Sequence, residues 1–162
     1  EYSLIARNPE IAVMEACREL GTALVSFSPV GRGMFSQEPL NPDKYGENDM
    51  RRGNFFPRLA EPHFSENLKL VAGARRIADQ VGCSLPQLAI AWVLAKGEEV
   101  VTIPGTKDIE HLEDNWGAME VELPESYVAQ LDEIFAPEKI AGPRYSEMGQ
   151  KSVTTEMYEF ER

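Results

Sequence analysis

Two turns in the sequence combine glycine with a basic side chain, and each follows a short apolar run that predicts a strand. The first turn spans 28–33 (SPVGRG) after the run 23–27, and the second spans 104–107 (PGTK) after the run 99–103. Glycine lets backbone N–H groups approach an anion, and Arg or Lys neutralises its charge. Either turn alone is common in ordinary loops, but their repetition favours a phosphate-binding site.

A polar, irregular stretch follows the first turn and contains two more basic residues. Residues 37–62 are rich in Pro, Asn, Asp, Gly and Arg, and this composition predicts a long surface loop. Loops of this length are usually functional or mobile. Arg51 and Arg52 could reach a phosphate or an acidic substrate, but we favour a solvated pair.

Three reactive side chains have simpler structural interpretations. His63 lies outside both turns with no partner suggested by the sequence, so we expect a solvated loop histidine. Tyr2 falls in a predicted strand, where packing is more common than acid catalysis. Cys83 has no neighbouring base or cation, which favours a small buried hydrophobe over an activated thiolate.

Strands and helices alternate along the chain around the two turns. Strands are predicted over 1–5, 23–27 and 99–103, the last two as buried strands. Helices are predicted over 9–20 with Asn8 as N-cap, over 65–81, over 85–95, from 108 and from 124. The strand–turn–helix order occurs three times, which is typical of a parallel sheet in an α/β protein.

The spacing of apolar residues assigns faces to these helices. Ser84 and Gln87 form a capping-box pattern before a helix whose core face holds Leu85, Leu88, Ala89, Trp92 and Val93. In the helix from 108, the same spacing predicts an inner face made of Ile109, Leu112 and Trp116. This prediction leaves His111, Asp114 and Asn115 near the rim, within reach of a ligand.

Composition excludes several classes of protein. The 162 residues are 43% hydrophobic and 27% charged, which indicates a folded domain, but one shorter than the ~250 residues of a complete α/β barrel. A net charge of −11 disfavours nucleic acid as a partner, and the longest apolar run is far shorter than a membrane span. Two separated cysteines suggest neither a disulfide nor a metal site, so we expect a reducing, cytoplasmic location. The first residue is Glu1, and we expect the chain to be part of something longer.

Several consecutive blocks resemble the C-terminal half of the aldo-keto reductase family. They are EYSL, CRELG, VSFSPVGRG, FSENL, PQLAIAWVLAKG and VVTIPGTKDIEHLEDN, and together they cover residues 1 to about 135. The resemblance implies an α/β fold, the C-terminal portion of a (β/α)8 TIM barrel, with strands six to eight present and the N-terminal half absent. In this interpretation 1–162 is a half-barrel, 37–62 is a long loop and 136–162 is a tail.

The resemblance also implies an NADPH site. Phe27 would stack on the nicotinamide, and the pyrophosphate would be lined by Ser28, Val30 and Arg32. The adenosine 2′-phosphate would be held by Gly105, Thr106 and Lys107, and the adenine would meet Glu113 and Asn115. His111 stands where other branches of the family carry arginine, and it completes the expected cofactor-binding set.

The implied activity is NADPH-dependent reduction of aldehydes or ketones to alcohols. The family's catalytic Asp, Tyr, Lys and His belong to the N-terminal half, so the resemblance assigns no catalytic residue here, and we expect the isolated chain to be inactive. Two alternatives stay open: a nucleotide-binding regulator or sensor of the same fold, and a structural half-barrel without binding function. The expected partners are a small carbonyl substrate and either a second copy or the missing N-terminal half.

Overall fold

Two short parallel strands form the sheet of this protein, whose computed structural model describes residues 1–153 and 156–161. Strand β1 (Leu24–Phe27) pairs with β2 (Val100–Ile103) in register, with Leu24 opposite Val100 and Phe27 opposite Ile103. The Ser26 hydroxyl donates to the carbonyl of Val101 at 3.2 Å, which adds a side-chain link to the ladder. The prediction of a parallel α/β arrangement is confirmed.

The described part of the chain contains six helices and several short 3₁₀ turns besides the two strands. The helices are α1 (Val13–Leu20), α2 (His63–Val81), α3 (Leu85–Leu94), α4 (Ile109–Gly117), α5 (Glu125–Ile134) and α6 (Glu147–Gln150). His63 therefore begins a helix, and its predicted place in a loop is wrong. Residues 37–62 are irregular apart from the turns Pro42–Lys44 and Pro57–Leu59, as the composition predicts.

The α2–α3 pair follows local sequence signals. Gly82 ends α2 with φ +81°, a left-handed conformation that glycine adopts without a steric penalty. The Ser84 hydroxyl accepts from the Gln87 N–H at 3.2 Å, and the Gln87 side chain accepts from the Ser84 N–H at 3.1 Å. The same hydroxyl donates to the Asp114 carboxylate at 2.9 Å, so the cap also ties α3 to α4. The five predicted core residues of α3 are all buried.

Trp92 of α3 lies at the centre of the core. Its ring packs against Tyr2 with 5.3 Å between ring centroids, and its indole N–H donates to Asp132 of α5 at 2.9 Å. The Tyr2 hydroxyl donates to Glu10 at 2.6 Å, and burial together with the nearby carboxylate raises the Tyr2 pKa. These contacts confirm that Tyr2 and Trp92 are packing residues.

The first ten residues differ from the prediction. Residues 1–5 form no strand; Ser3 and Ala6 make an isolated antiparallel bridge, which turns the chain back before a ladder can extend. The described residues therefore contain two strands, not three. The Asn8 side chain donates to the carbonyl of Glu156 instead of capping a helix, and α1 begins only at Val13.

One face of the sheet is open. Val25, Phe27, Val101 and Ile103 share this face by register, and we call them the apolar row; Val25 and Ile103 are each 58% exposed. The prediction that both strands are buried is therefore wrong. The predicted inner face of α4 is also wrong, since Ile109 and Trp116 are 74% and 69% exposed. No described element packs over these side chains, so the helical periodicity identified an apolar face that this chain does not cover.

The tail is tied to the first turn by a buried carboxylate. Glu1 Oε2 accepts from Arg32 at 2.8 Å, from Arg144 at 2.9 Å and from the Tyr145 hydroxyl at 3.2 Å. Burial alone would raise the Glu1 pKa, but the attraction of the two guanidinium groups and their hydrogen bonds lowers it overall. The ionised carboxylate therefore holds the tail against the turn.

Replacing Ser84 with Ala should lower the free energy of unfolding by about 0.5–2 kcal/mol, the usual cost of losing an N-cap. The loss has two sources, because the hydroxyl caps α3 and also bonds to Asp114 of α4. Urea denaturation measures it, with Ser126→Ala in the exposed first turn of α5 as the matched control. Equal midpoints for the two variants would contradict this account of the α3 cap.

Replacing Glu1 with Gln should destabilise the protein in a pH-dependent way. A carboxylate whose folded-state pKa is lowered contributes stability that is present above its unfolded pKa and lost as the pH falls through the folded value. At neutral pH the expected loss is about 1.5–3 kcal/mol, typical of hydrogen bonds to a charged group. The gap between wild type and E1Q should shrink below the ordinary pKa of 4.5.

Thermal melts across this pH range test the prediction. Glu15→Gln, at an exposed position of α1, is the control for removing one negative charge. A wild-type–E1Q gap that stays constant from neutral to acidic pH would show that the ionised carboxylate does not hold the tail.

Candidate functional site

The parallel pairing brings the two glycine-containing turns together at one edge of the sheet. A cavity of about 330 Å³ opens between them and is lined by Ser28, Pro29, Val30, Arg32, Gly33, Arg51, Pro104 and Gly105. A second cavity of about 160 Å³ shares Val30, Gly33 and Gly105 and continues towards α4. It is also lined by Ser36, Gln37, Pro86, Thr106, His111, Asp114 and Asn115. We call the two cavities together the groove.

Seven of the ten predicted site residues line the groove. They are Ser28, Val30, Arg32, Gly105, Thr106, His111 and Asn115. Phe27 lies at the end of β1 on the open face of the sheet, with its ring 5.9 Å from the Arg32 guanidinium. Lys107 and Glu113 are exposed residues outside both cavities, beyond the Thr106 end of the groove.

The backbone of the first turn is unusual. Ser28 and Arg32 adopt φ values of +57° and +56°, in the left-handed region that residues with a side chain seldom occupy. Conformations of this kind persist where the surrounding structure imposes them, and they cluster at functional sites. Gly31, also left-handed, lies so close to the Phe35 ring that an added Cβ would be 3.0 Å from it. A side chain at this position would therefore strain the backbone and need the Phe35 ring to shift.

Arg32 is held firmly at one wall of the groove. Its guanidinium donates to Glu1 and to the Tyr145 hydroxyl, both at 2.8 Å. It also lies over the Phe56 ring at 4.2 Å. These contacts fix the orientation of the positive charge, and the Glu1 carboxylate offsets part of it.

The second turn leads directly into α4. The Asp108 side chain accepts from the Glu110 N–H at 3.0 Å and caps the helix. The Thr106 hydroxyl accepts from the Asp108 N–H at 3.1 Å, which fixes the turn before the cap. The turn and the first residues of α4 therefore form one rigid wall of the groove.

Arg51 is a groove residue for which the sequence analysis considered contact with a phosphate but favoured a solvated position. It was expected to be solvated with Arg52, but its guanidinium lines the larger cavity and donates to Asp49 at 2.9 and 2.6 Å. These bonds lower the Asp49 pKa to about 2. No local signal marks Arg51, since its position depends on how the irregular loop folds against the turn.

An apolar cleft of about 490 Å³ lies beside β2 and shares Pro104 with the groove cavity of about 330 Å³. It is lined by Ile90, Leu94, Val101, Thr102, Ile103, Pro104, Leu112, Asn115, Trp116 and Met119. Leu112 and Trp116 of α4 border this open cleft, which accounts for their exposure.

Metal-ligating side chains do not cluster within residues 1–153 and 156–161. These residues contain no cluster of three or more His, Cys, Asp or Glu side chains arranged to hold a metal ion. Burial and the nearby Asp114 raise the pKa of the Cys83 thiol, which agrees with a packing role. None of the described helices is by itself long and apolar enough to span a membrane; only α2 and α3 taken together, across an 89° bend, meet the length and composition criteria.

Comparisons with known proteins show the family of this chain. A model of the aldo/keto reductase family matches residues 1–136. The aldo-keto reductase yakc [NADP(+)] of Schizosaccharomyces pombe is 38% identical over 144 residues, which are 89% of this chain and 42% of the relative. The chain therefore spans less than half the length of this relative.

Two solved structures share the fold. The glycerol dehydrogenase AKR11B4 from Gluconobacter oxydans superposes with a TM-score of 0.76 at 18% identity, covering 88% of this chain and 42% of that one. An aldo/keto reductase from Klebsiella pneumoniae in complex with NADP and acetate gives a TM-score of 0.60 at 21% identity, covering 90% and 41%. With the family model matching most of its length, this chain belongs to the aldo/keto reductase family.

Proposed function

We propose that this chain forms the cofactor-binding part of an NADPH-dependent aldo-keto reductase that reduces aldehydes or ketones to alcohols. The observation that carries the proposal is the groove, in which two turns containing glycine and flanked by cations meet at the carboxyl ends of parallel strands. The name of the Schizosaccharomyces pombe relative and the ligand of the Klebsiella pneumoniae enzyme support NADP(H) as the cofactor.

The groove has the chemistry that a dinucleotide phosphate requires. Two guanidinium groups line the larger cavity, and no carboxylate belongs to its described lining. Ser28, Val30 and Arg32 would hold the pyrophosphate, while Gly105, Thr106 and Lys107 would hold the 2′-phosphate. His111 and Asn115 line the cavity where the adenine would lie, and Glu113, which is exposed outside it, would have to meet the adenine from the rim.

Phe27 would position the nicotinamide. Its ring is 40% exposed at the end of β1, and an aromatic face at this place offers a flat apolar platform. When bound, the nicotinamide cofactor supplies the hydride for carbonyl reduction. The part played by this chain is then to orient the ring through Phe27 and to anchor the phosphates through the two turns.

We also propose that the apolar row packs against the remainder of a (β/α)8 barrel. In a closed barrel the row would lie on the inner sheet face, which such barrels fill with side chains, and the relatives are more than twice as long as the matched segment. The catalytic residues would come from that remainder. A second copy of this chain is the alternative partner for the same apolar side chains.

Replacing Lys107 with Ala in the complete protein should weaken NADPH binding more than NADH binding. The expected loss for NADPH is about 1.5–3 kcal/mol, or roughly 10- to 150-fold in Kd, and the exposure of Lys107 favours the lower end. Nicotinamide fluorescence titration with each cofactor gives both constants. Lys69→Ala, at an exposed position on α2, is the control, and equal losses for the two cofactors would reject the role of Lys107.

The 162-residue chain alone should not oxidise NADPH in the presence of an aldehyde, whereas the complete protein should. The reason is that the family resemblance assigns cofactor-binding positions to this chain and would place the catalytic tetrad outside it. The absorbance of reduced nicotinamide follows the reaction, with a no-protein blank as control. Turnover by the 162-residue chain would contradict the proposal, and NADPH binding without turnover by the complete protein would favour the sensor alternative.

A further inference from the structure

The hydroxyl of Tyr145, in the tail, contacts an arginine that lines the groove. Arg32 Nη2 donates to this hydroxyl at 2.8 Å. Tyr145 itself is not among the described residues that line either cavity of the groove. We propose that Tyr145 is a positioning residue for cofactor binding, which orients the Arg32 guanidinium and thereby couples the tail to the pyrophosphate of the bound dinucleotide. This inference rests on the proposed function.

Arg32, Tyr145 and Glu1 form a closed set of three hydrogen bonds. Arg32 Nη2 donates to the hydroxyl and to Glu1 Oε2, each at 2.8 Å, and the hydroxyl donates to the same carboxylate oxygen at 3.2 Å. The Tyr145 hydroxyl therefore accepts from a cation and donates to an anion, and linked bonds of this kind strengthen one another. This arrangement fixes the Nη2 end of the guanidinium.

The remaining donors of Arg32 are available for a ligand. Within the described chain, the hydrogen bonds of this guanidinium all start from Nη2. A guanidinium carries five N–H donors, so Nε and Nη1 keep three of them. The side chain lines the larger cavity, which is the proposed pyrophosphate site. Tyr145 and the cofactor would therefore bind different nitrogen atoms of one guanidinium.

Packing determines where the Tyr145 hydroxyl lies. The Tyr145 ring packs against Phe55 and Phe56, with 5.9 and 5.7 Å between ring centroids. The next residue, Ser146, donates its N–H to the carbonyl of Phe55 at 3.0 Å. The Phe56 ring also lies under the Arg32 guanidinium at 4.2 Å. The tail thus holds the hydroxyl against Arg32 through contacts that do not involve the cofactor.

Loss of the hydroxyl would weaken anion binding for two reasons. Arg32 would have fewer partners to restrict its side chain, so more side-chain entropy would be lost when the pyrophosphate binds. Glu1 Oε2 would also lose one of its three donors, leaving Arg32 and Arg144. The carboxylate would then offset more of the Arg32 charge.

Coupling of this kind acts in both directions. If the docked tail strengthens cofactor binding by a given factor, the bound cofactor must stabilise the docked tail by the same factor. The tail offers backbone groups that report on docking, because the Ser146 N–H bonds to Phe55 and the Gln150 N–H bonds to the carbonyl of Ser146 at 2.8 Å. Their hydrogen exchange should slow when the cofactor binds.

The first test compares Tyr145→Phe with Tyr158→Phe in the complete protein, by nicotinamide fluorescence titration with NADPH and NADH. Y145F keeps the ring and removes the hydroxyl, so we expect both dissociation constants to rise by about three- to tenfold. The two cofactors should lose alike, because the pyrophosphate is common to both. Y158F removes a tail hydroxyl that donates to the carbonyl of Arg7 at 3.0 Å, and it should change both constants less than about twofold.

A double-mutant cycle with Arg32→Ala separates positioning from a general structural effect. If Tyr145 acts through Arg32, Y145F should change the constants less than about twofold in the R32A background. A structural effect on the groove would persist in that background. R32Q replaces R32A in the cycle if R32A fails to fold, as judged by circular dichroism.

Hydrogen exchange of residues 144–150, followed by mass spectrometry, measures the reverse direction. Saturating NADPH should slow exchange of this segment in the wild type, and the protection should be smaller in Y145F at equal saturation. Y158F should keep the wild-type protection, since its hydroxyl does not contact Arg32.

Four results would overturn the inference while leaving the proposed function standing. They are equal constants for Y145F and Y158F, a loss confined to NADPH, an undiminished effect of Y145F in the R32A background, and exchange of the tail that does not respond to NADPH. A folded wild-type protein that binds neither cofactor would instead overturn the proposed function and, with it, the role of Tyr145.

Discussion

The in-register parallel pairing of Leu24–Phe27 with Val100–Ile103 is the constraint on which the site depends. Because both strands run the same way, their carboxyl ends meet at one edge, and the two glycine-containing turns face each other across the groove. An antiparallel pair would place the turns at opposite edges and divide the cations between two surfaces. Four residues in each strand thus determine that Arg32 and Gly105 border one cavity.

The two strands also form a sheet with one covered face and one exposed apolar face. Helix α3 covers one side of β2 with buried side chains, whereas Val25, Phe27, Val101 and Ile103 stay exposed on the other. Each exposed apolar Å² forgoes about 25 cal/mol of burial, so a row of this size favours association over exposure. The net charge of −11 opposes close approach of identical copies, but salt screens that repulsion beyond about 10 Å. A complementary barrel half would bury the same row.

Sequence motifs predict the helix ends, because these depend on contacts between residues that are close in the chain. The left-handed stop at Gly82 and the capping box at Ser84 act within one turn of a helix, and the α2–α3 pair follows them. The run 1–5 fails as a strand because pairing partners are a tertiary property, and here Ser3 bonds to Ala6. Helix α4 is amphipathic, as its sequence predicts. The spacing of its apolar residues does not indicate whether another element covers the apolar face. Motifs in the sequence led to seven residues that line the groove. The position of Arg51 in the groove depends instead on the path of an irregular loop.

Three carboxylates at or near the groove bind its arginines or the cap of α3. Glu1 binds Arg32 and Arg144, Asp49 binds Arg51, and Asp114 accepts from the Ser84 hydroxyl. Glu1 and Asp49 are not among the described residues that line the larger cavity, whereas their partners Arg32 and Arg51 are. A cation fixed in this way loses little side-chain entropy when an anion binds. The acidic composition of the chain is therefore compatible with anion binding. At this site the carboxylates orient the arginines, and the described lining of the larger cavity contains arginines and no carboxylate.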